Sequence, residues 1–253
     1  MTLPRTPLEH FYELMKEVIA NDGKGTFRFN RSMIIVSDIA AQYFCEKKVE
    51  LQYLHGKKET EAKLLGTEGH EKLLEGSAEV EREEMFKKIF GKQPVVALEM
   101  LLLAKHKNAL LCGKPDSVLF FKGFPLVIYE YKFSRRRVAY PSYHVQARTY
   151  GLLLENMGFD TSRLFYAVVV ADVTARQDDS LRENVSTAIM DNGFREAVLN
   201  LGNATIFLHK FNHAEAEKAV DWALEFWQNK RGAVPTDNVF KCRSCEYFKE
   251  CND

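Results

Sequence analysis

The sequence predicts an α/β fold in which helices flank a central mixed sheet. Helical periodicity dominates the first third of the chain, strand-like segments follow between about residues 95 and 132, and helices then alternate with further strands. Such an order of elements places helices against the faces of a sheet. The chain has 253 residues, of which 46% are hydrophobic, which is enough to bury a sizeable core.

The predicted helices follow the spacing of apolar side chains along the chain. They cover, in order, residues 7–20, about 37–54, about 59–75, 143–157 and 214–229. The segment Asn21-Asp22-Gly23 is expected to end the first helix, and Ser37 is expected to cap the second. The tail from Arg231 has the composition of a loop.

The predicted strands are short apolar segments bounded by turn residues. They cover residues 33–36, 95–104, 109–112, 117–121, 126–132, 164–171 and 205–211. The dipeptide Lys122-Gly123 is a turn signal that separates two of these strands.

Charge and composition argue against a nucleic-acid-binding protein that is basic over its whole surface, and against a membrane-spanning protein. The 35 lysines and arginines balance 35 aspartates and glutamates, so a nucleic-acid surface must be a local patch. No apolar run reaches the roughly 18 residues of a membrane helix. Glu9, Glu13 and Glu17 argue against a secretory signal. We therefore expect an intracellular, cytoplasmic protein without a membrane partner.

The strongest catalytic signal is an acidic–lysine group between Gly113 and Lys132. Asp116 opens one apolar strand, and Glu130 and Lys132 close the next. Residues two apart on a strand share a face, so Glu130 and Lys132 are expected to lie together, with Asp116 facing them from the neighbouring strand. Two carboxylates suit Mg²⁺ or Mn²⁺, and a nearby lysine can orient water or stabilise charge on a phosphate. The alternative is a surface salt bridge at a strand end.

Two further groups are weak signals when taken singly. His70 lies on the predicted third helix, where a histidine is more often solvated or buried than a metal ligand. Gln146 and Tyr150 lie four residues apart and share a helix face, as they would on any amphipathic helix.

Together these motifs resemble the RecB-like nuclease family of the PD-(D/E)xK superfamily. Together with Cys45 and the C-terminal Cys242, Cys245 and Cys251, the sequence looks most like the CRISPR-associated RecB-like exonucleases, the fourth group of Cas proteins. The resemblance runs from about Ser37 to Cys251 and implies a RecB-like nuclease core. The motifs that carry it are G-T-x-x-H-E at His70, G-x-x-D at Asp116, E-x-K at Glu130 and Lys132, and Q-x-x-x-Y at Gln146 and Tyr150.

The resemblance also implies a role for each motif residue. His70, Asp116 and Glu130 would hold the Mn²⁺ or Mg²⁺ ion, helped by the backbone carbonyl of Tyr131. Lys132 would be the catalytic lysine.

The same resemblance implies an activity and partners. The protein would be a metal-dependent DNA exonuclease acting from the 5′ end, with a part in CRISPR spacer acquisition beside other adaptation proteins. Gln146 and Tyr150 would support the site or touch the DNA strand. Two alternatives remain: a DNA repair exonuclease of the same fold, and a DNA-binding adaptor that has lost turnover.

The cysteines indicate a metal site. Cys242, Cys245 and Cys251 are close in sequence and need a fourth ligand, for which Cys45 is the natural candidate. Cys112 is the competitor, although its apolar run favours simple packing. Four cysteines suit Zn²⁺ or a 4Fe–4S cluster, and unligated thiols are a third possibility.

One remote cysteine with a C-terminal trio matches the iron–sulfur members of the family named above. A cluster on these four residues would form an iron–sulfur clasp, which would join the N-terminal helical region, about 1–75, to the tail, about 231–253, within a single nuclease domain. Closing a loop of roughly 200 residues would constrain the unfolded chain. Family members often have proline after the first cysteine, whereas Glu46 follows Cys45 here.

A basic segment follows the acidic–lysine group directly. Arg135, Arg136 and Arg137 precede Tyr140 and Tyr143, and such interleaving of charges and rings suits single-stranded DNA. A solvated loop is the alternative. A second basic edge is expected at Lys47, Lys48, Lys57 and Lys58.

Overall fold

The computed structural model describes residues 6–21, 24–57 and 80–252. Its strands are β1 (Ile34–Ile35), β2 (Val95–Leu98), β3 (Leu102–His106), β4 (Ala109–Gly113), β5 (Ser117–Phe121), β6 (Phe124–Phe133), β7 (Phe165–Ala171), β8 (Ala197–Leu201) and β9 (Ala204–Lys210). Its helices are α1 (Pro7–Ala20), α2 (Val36–Gln42), α3 (Glu46–His55), α4 (Arg82–Ile89), α5 (Pro141–Asn156), α6 (Leu181–Asp191), α7 (His213–Trp227), α8 (Val239–Arg243) and α9 (Phe248–Asn252). The predicted α/β fold with a mixed sheet flanked by helices is confirmed.

A six-stranded sheet in the order β2-β5-β6-β7-β9-β8 forms the centre of the fold. Strands β6 and β7 pair in parallel, and the other neighbours in this sheet pair antiparallel. Parallel strands need a crossover connection. Helix α5 provides it, and thereby lies against the strand that carries Glu130 and Lys132.

The hairpin between β5 and β6, together with a register shift after it, aligns the strands that carry the acidic–lysine group. Lys122 and Gly123 have φ values of 52° and 82°, and Phe121 pairs with Phe124 on either side of them. Positive φ at both central residues is typical of two-residue hairpin turns that match the strand twist. The predicted turn is confirmed. The register then shifts by one residue between Leu119 and Phe120, so that Ser117 pairs with Tyr129.

The segment 95–104 is not one strand, as the sequence analysis predicted, but two. The chain breaks at Glu99, which has a φ of 42° and donates its backbone N–H to the Asp116 carbonyl over 3.2 Å. Strand β2 joins the large sheet, whereas β3 joins a second sheet in the order β1-β4-β3. The apolar run hides this break because both halves are strands.

The N-terminal helices differ from the prediction at two points. Helix α1 is confirmed, and Thr6 and Glu9 form a capping box at its start. The helix expected over 37–54 is two helices, because Cys45 adopts an extended conformation and starts α3. Ser37 is not the cap of α2, since it lies inside that helix and Ile35 precedes it. The helix expected over about 59–75 lies outside the described residues.

Outside the tail, sequence periodicity missed α4, α6 and β8 among the described elements. Helix α6 buries only Leu181, Val185 and Ile189, so its apolar stripe is narrow. Strand β8 alternates between half-buried and exposed residues at the sheet edge, and so lacks an apolar run. The tail that was expected to be a loop contains α8 and α9. None of the described helices is long and apolar enough to span a membrane.

The large sheet separates two hydrophobic cores. One core includes Ile128 and Val168 and extends to α5 and the N-terminal helices. The other core includes Tyr129 and Tyr131 and extends to α6. Successive residues of β6 therefore point to opposite faces.

Candidate active site and cysteine cavity

Strand β6 places Glu130 and Lys132 side by side on the face that α5 covers. Lys132 Nζ lies 2.6 Å from Glu130 Oε1. This closeness agrees with the two-residue spacing that the sequence analysis used. Only 1% of the Glu130 side chain and 21% of the Lys132 side chain is exposed. The pair is therefore reached by solvent from the lysine side.

Asp116 lies directly before β5 and across from the end of β6. Its Oδ2 atom accepts a hydrogen bond from the backbone N–H of Tyr131 over 2.6 Å. The N–H and C=O groups of one strand residue point to the same edge. The carbonyl of Tyr131 therefore also points toward the side of Asp116, beyond the last β5–β6 pair. The Tyr131 ring lies on the opposite face and is buried.

The negative charges beside Lys132 determine its protonation. Burial lowers the pKa of Lys132, but the carboxylates of Glu130 and Asp116 raise it by more, so the net shift is upward. Lys132 is thus a cation at neutral pH. An ion pair taken out of water is stabilised only if it is well partnered, and this pair has further partners on α5.

Helix α5 continues the contacts of Lys132 into the core. Lys132 Nζ donates to Gln146 Oε1 over 3.2 Å, and Gln146 Nε2 donates to the Tyr150 hydroxyl over 3.2 Å. Burial raises the pKa of Tyr150 well above its usual value, as does the charge of Glu130. The Tyr143 ring centroid lies 5.4 Å from Lys132 Nζ. The structure thus brings Gln146 and Tyr150 to the acidic–lysine group.

The three arginines after β6 are all exposed but differ in their contacts. Arg137 Nη1 donates to the Gly202 carbonyl in the turn between β8 and β9 over 2.6 Å. Arg135 and Arg136 lie in the same loop, next to the end of β6. The basic segment therefore lies beside the site, with one arginine used to hold a neighbouring turn.

The other predicted site residues are placed as follows. His70 and Lys58 lie outside the described residues. Lys47 forms an ion pair with Glu50 at 2.6 Å, so at this point the predicted second basic edge is partly neutralised. Lys48 lies near the cysteines, where it contacts Glu246 at 3.0 Å.

Four cysteines from the two ends of the chain line one cavity of about 50 Å³. They are Cys45, Cys242, Cys245 and Cys251, the set that the sequence analysis selected. Cys112 does not line this cavity. It lies on β4, and burial raises the pKa of its thiol to about 11, which fits a packed neutral side chain.

The surroundings of these thiols would affect any ion or cluster that they hold. Lys48 and Lys241 also line the cavity, and Thr236 donates its backbone N–H to Cys45 Sγ over 3.4 Å. Thiolates in this cavity would therefore be near two cations and a backbone donor.

Another group of possible metal ligands lies away from both sites. In the part of the chain that the structure describes, His106, Glu217 and Asp221 have ligand atoms within 4.8 Å of one another. His106 Nε2 lies 2.8 Å from Asp221 Oδ1, and Lys107 Nζ lies 2.5 Å from Asp221 Oδ2. These pairs already account for the group as a contact between β3 and α7.

The role of Glu46 was not predicted from the sequence, where Glu46 stood out only as a departure from the pattern of the family that the cysteines resemble. The Glu46 side chain is fully buried and forms an ion pair with Arg231. The signal in the sequence was a glutamate at a position where members of that family often have proline.

Comparisons with known proteins identify the superfamily. A family profile described as "PD-(D/E)XK nuclease superfamily" matches residues 8–252. A solved structure described as "Crystal structure of SSO0001" is 16% identical, with a TM-score of 0.45, over 86% of this chain and 84% of that chain. That likeness is too distant to support an argument, and no curated protein matches. The chain belongs to the PD-(D/E)XK nuclease superfamily, whose members hydrolyse phosphodiesters with divalent metal ions.

Proposed function

We propose that Asp116, Glu130 and Lys132 form the active site of a divalent-metal-dependent DNA nuclease. The observation that carries this proposal is the buried Glu130 carboxylate, which lies 2.6 Å from Lys132 and across from Asp116. A surface salt bridge would leave the carboxylate in water. We further propose that the Tyr131 carbonyl and His70 complete the metal ligands. The assignment of His70 as a metal ligand rests on the family resemblance.

The chain's own groups fit a metal-assisted hydrolysis. The donor set of carboxylates and a carbonyl consists of the hard oxygens that Mg²⁺ and Mn²⁺ prefer. Bound Mg²⁺ or Mn²⁺ would polarise the phosphoryl oxygen and lower the pKa of a bound water. Lys132 stays charged between Glu130 and Gln146, where it can orient that water or stabilise the charge that builds on the phosphate.

We propose that the substrate is DNA and that single strands are preferred. Arg135 and Arg136 are exposed beside the site, and Tyr140 packs edge-to-face with Tyr143 at 5.4 Å, next to Lys132. Such a combination of cations and rings binds phosphates and bases of a single strand. Exonuclease action from the 5′ end and a part in CRISPR spacer acquisition rest on the family resemblance.

We propose that the four cysteines of the cavity hold a 4Fe–4S cluster as a structural clasp. The cavity joins Cys45 to the C-terminal trio, so all four cysteines that a cluster requires border one space. Lys241 lines the cavity and would offset part of the negative charge of the thiolates, whereas Lys48 is already paired with Glu246.

The experiment that tests the nuclease proposal uses end-labelled single- and double-stranded DNA with Mg²⁺ or Mn²⁺. Cleavage of single strands that depends on the metal and proceeds from the 5′ end supports the proposal. Tight DNA binding without cleavage in either metal would instead identify a binding adaptor. Cleavage without a CRISPR gene neighbourhood would favour the repair exonuclease.

A further inference from the structure

The residue after Cys45 is the centre of a buried hydrogen-bond network. Glu46 is 0% exposed, and its two carboxylate oxygens contact Nη1 and Nη2 of Arg231, the latter at 2.9 Å. Glu46 Oε1 also accepts from Gln42 Nε2 over 2.7 Å, and Oε2 accepts from the Val234 backbone N–H over 2.8 Å. The buried carboxylate is therefore fully partnered, as a buried charge must be.

The partners of Glu46 are themselves held by α7. Arg231 Nη2 donates to the Trp222 carbonyl over 2.7 Å, and its guanidinium lies 4.4 Å from the Trp222 ring centroid. Gln42 Oε1 accepts from Trp227 Nε1 over 2.7 Å. The network thus joins α2 and α3 to the end of α7 and to the first residues of the tail.

The same network sets the path of the tail past Cys45. Glu46 donates its backbone N–H to the Val234 carbonyl over 3.2 Å, while Val234 donates its own N–H to the Glu46 side chain. Two residues later, Thr236 donates its backbone N–H to Cys45 Sγ. The tail therefore runs along Cys45 and Glu46 immediately before it reaches the cysteine trio.

We propose that Glu46 and Arg231 are positioning residues for the four-cysteine site. They dock the tail against Cys45 before metal or cluster binds, so that the four thiols face one cavity in the metal-free protein. This inference rests on the proposed clasp. Docking removes the cost of closing a loop of roughly 200 residues from the binding step. A preorganised site binds more tightly than one that must be assembled.

On the other side of the cavity, further contacts also hold the cysteine trio in place. Tyr247 lies between Cys245 and Cys251 in sequence, is 0% exposed, and donates its hydroxyl to the Gly56 carbonyl over 2.5 Å. These contacts place the trio against α3. Glu46 differs from them because it holds the segment that passes Cys45 itself.

Cobalt titration of reduced, metal-free protein tests the proposal. Co²⁺ bound by thiolates gives visible absorption, so this signal reports on the cysteine site directly and not on DNA cleavage. We expect Glu46→Gln and Arg231→Met each to weaken Co²⁺ binding by about tenfold or more, because the tail is no longer docked. The double variant should lose little more than either single variant, because both remove the same contact. Limited trypsin digestion of the metal-free proteins should show faster cleavage after Lys241 in the variants.

Asp221→Ala is the matched control, because it removes the contacts of α7 to His106 and Lys107 without touching the tail. An equal loss of Co²⁺ affinity in this control would show general destabilisation and overturn the positioning role. Unchanged affinity and tail protection in Glu46→Gln would overturn it as well. Wild-type protein that binds no Co²⁺ would overturn the cysteine site, and the positioning role with it. Tight binding by wild type together with equally tight binding by Glu46→Gln would overturn the positioning role alone.

Discussion

The backbone N–H of Tyr131 holds the Asp116 carboxylate at 2.6 Å, so a main-chain group of β6 orients the side chain that precedes β5. This hydrogen bond needs an acceptor oxygen but not a negative charge. The position of Asp116 and its charge can therefore be separated by substitution.

Asp116→Asn should keep the fold and lose cleavage. The asparagine oxygen can still accept from Tyr131, whereas the weaker amide ligand would lower the stabilisation that a metal gives to the reacting phosphate. We expect cleavage in Mg²⁺ to fall by about 100-fold or more at unchanged thermal stability. Single-turnover cleavage and thermal unfolding measure the two effects. Asp191→Asn, at the exposed end of α6, is the control, and an equal loss of cleavage in it would contradict the assignment.

Glu130→Ala should abolish cleavage and leave most of the DNA affinity. The substitution removes a proposed metal ligand and also leaves Lys132 without its 2.6 Å partner. DNA binding should persist because the exposed arginines lie outside the pair. Cleavage and filter binding of one labelled strand measure both quantities. Wild-type cleavage rates in purified Glu130→Ala would remove Glu130 from the active site.

The arginines after β6 should contribute unequally to DNA binding. Arg135→Ala with Arg136→Ala should weaken binding and flatten its salt dependence, by a slope of about 0.7 for each lost phosphate contact on a single strand. Arg137→Ala should change the slope less, because its guanidinium already bonds to Gly202. The salt slopes of the double variant and of Arg137→Ala are compared by measuring DNA affinity at several salt concentrations. If the double variant keeps the wild-type slope, the segment is a solvated loop.

The cysteines should separate into two classes by colour and iron content. Anaerobically purified protein should be brown and contain about four irons per chain. Cys45→Ser should lose the colour and stability, since ligand binding and folding are coupled, whereas Cys112→Ser should keep the colour because it only packs. Visible spectra and iron analysis of both variants check this. A colourless wild-type protein with one zinc would exclude the cluster, and a brown Cys45→Ser protein with full iron would exclude Cys45 as a ligand.

His144 should make the fold sensitive to mild acid. Burial, helped by His209 and Arg148, lowers the pKa of His144 to about 4, against an ordinary value of 6.5. A histidine whose folded pKa is lowered stabilises the fold above its unfolded pKa, and that stability is lost as pH falls from about 6.5 toward 4. Replacing His144 with leucine should therefore reduce the loss of Tm between pH 7.5 and 5.5.

His213 is the control of opposite sign. Its hydrogen bond to Glu155 raises the pKa of His213, so its contribution is present at low pH and is lost as pH rises through the folded pKa. His213→Gln should therefore lower the Tm, relative to the wild type, by more at pH 5.5 than at pH 7.5. Equal acid sensitivity in the wild type and His144→Leu would show that His144 does not determine it.

Sequence patterns correctly predicted the features that depend only on residues close together in the sequence. Two-residue spacing brought Glu130 and Lys132 to one face, and Lys122 with Gly123 marked the hairpin that joins β5 to β6. The break at Glu99 was missed because both sides of it are apolar and extended. The assignment of two strands to two sheets depends on pairing with distant strands, which periodicity does not report.

The surroundings of the cysteines show the same limit. Sequence spacing selected the four cysteines that line the cavity, but it could not indicate why glutamate follows Cys45. The reason lies in Arg231, 185 residues away. Such contacts leave no pattern in a single sequence, because neither residue has neighbours that reveal its partner.

The residues of the acidic–lysine group lie close together in the sequence, whereas those that position the cysteine site lie far apart. Asp116, Glu130, Lys132, Gln146 and Tyr150 come from consecutive elements, so their arrangement depends on contacts between near neighbours in sequence. Glu46 and Arg231 lie 185 residues apart, so they can meet only after the chain as far as Arg231 has left the ribosome. Contacts between neighbours form faster than those that close long loops. The acidic–lysine group can therefore take shape before Glu46 meets Arg231 and Cys45 meets the cysteine trio.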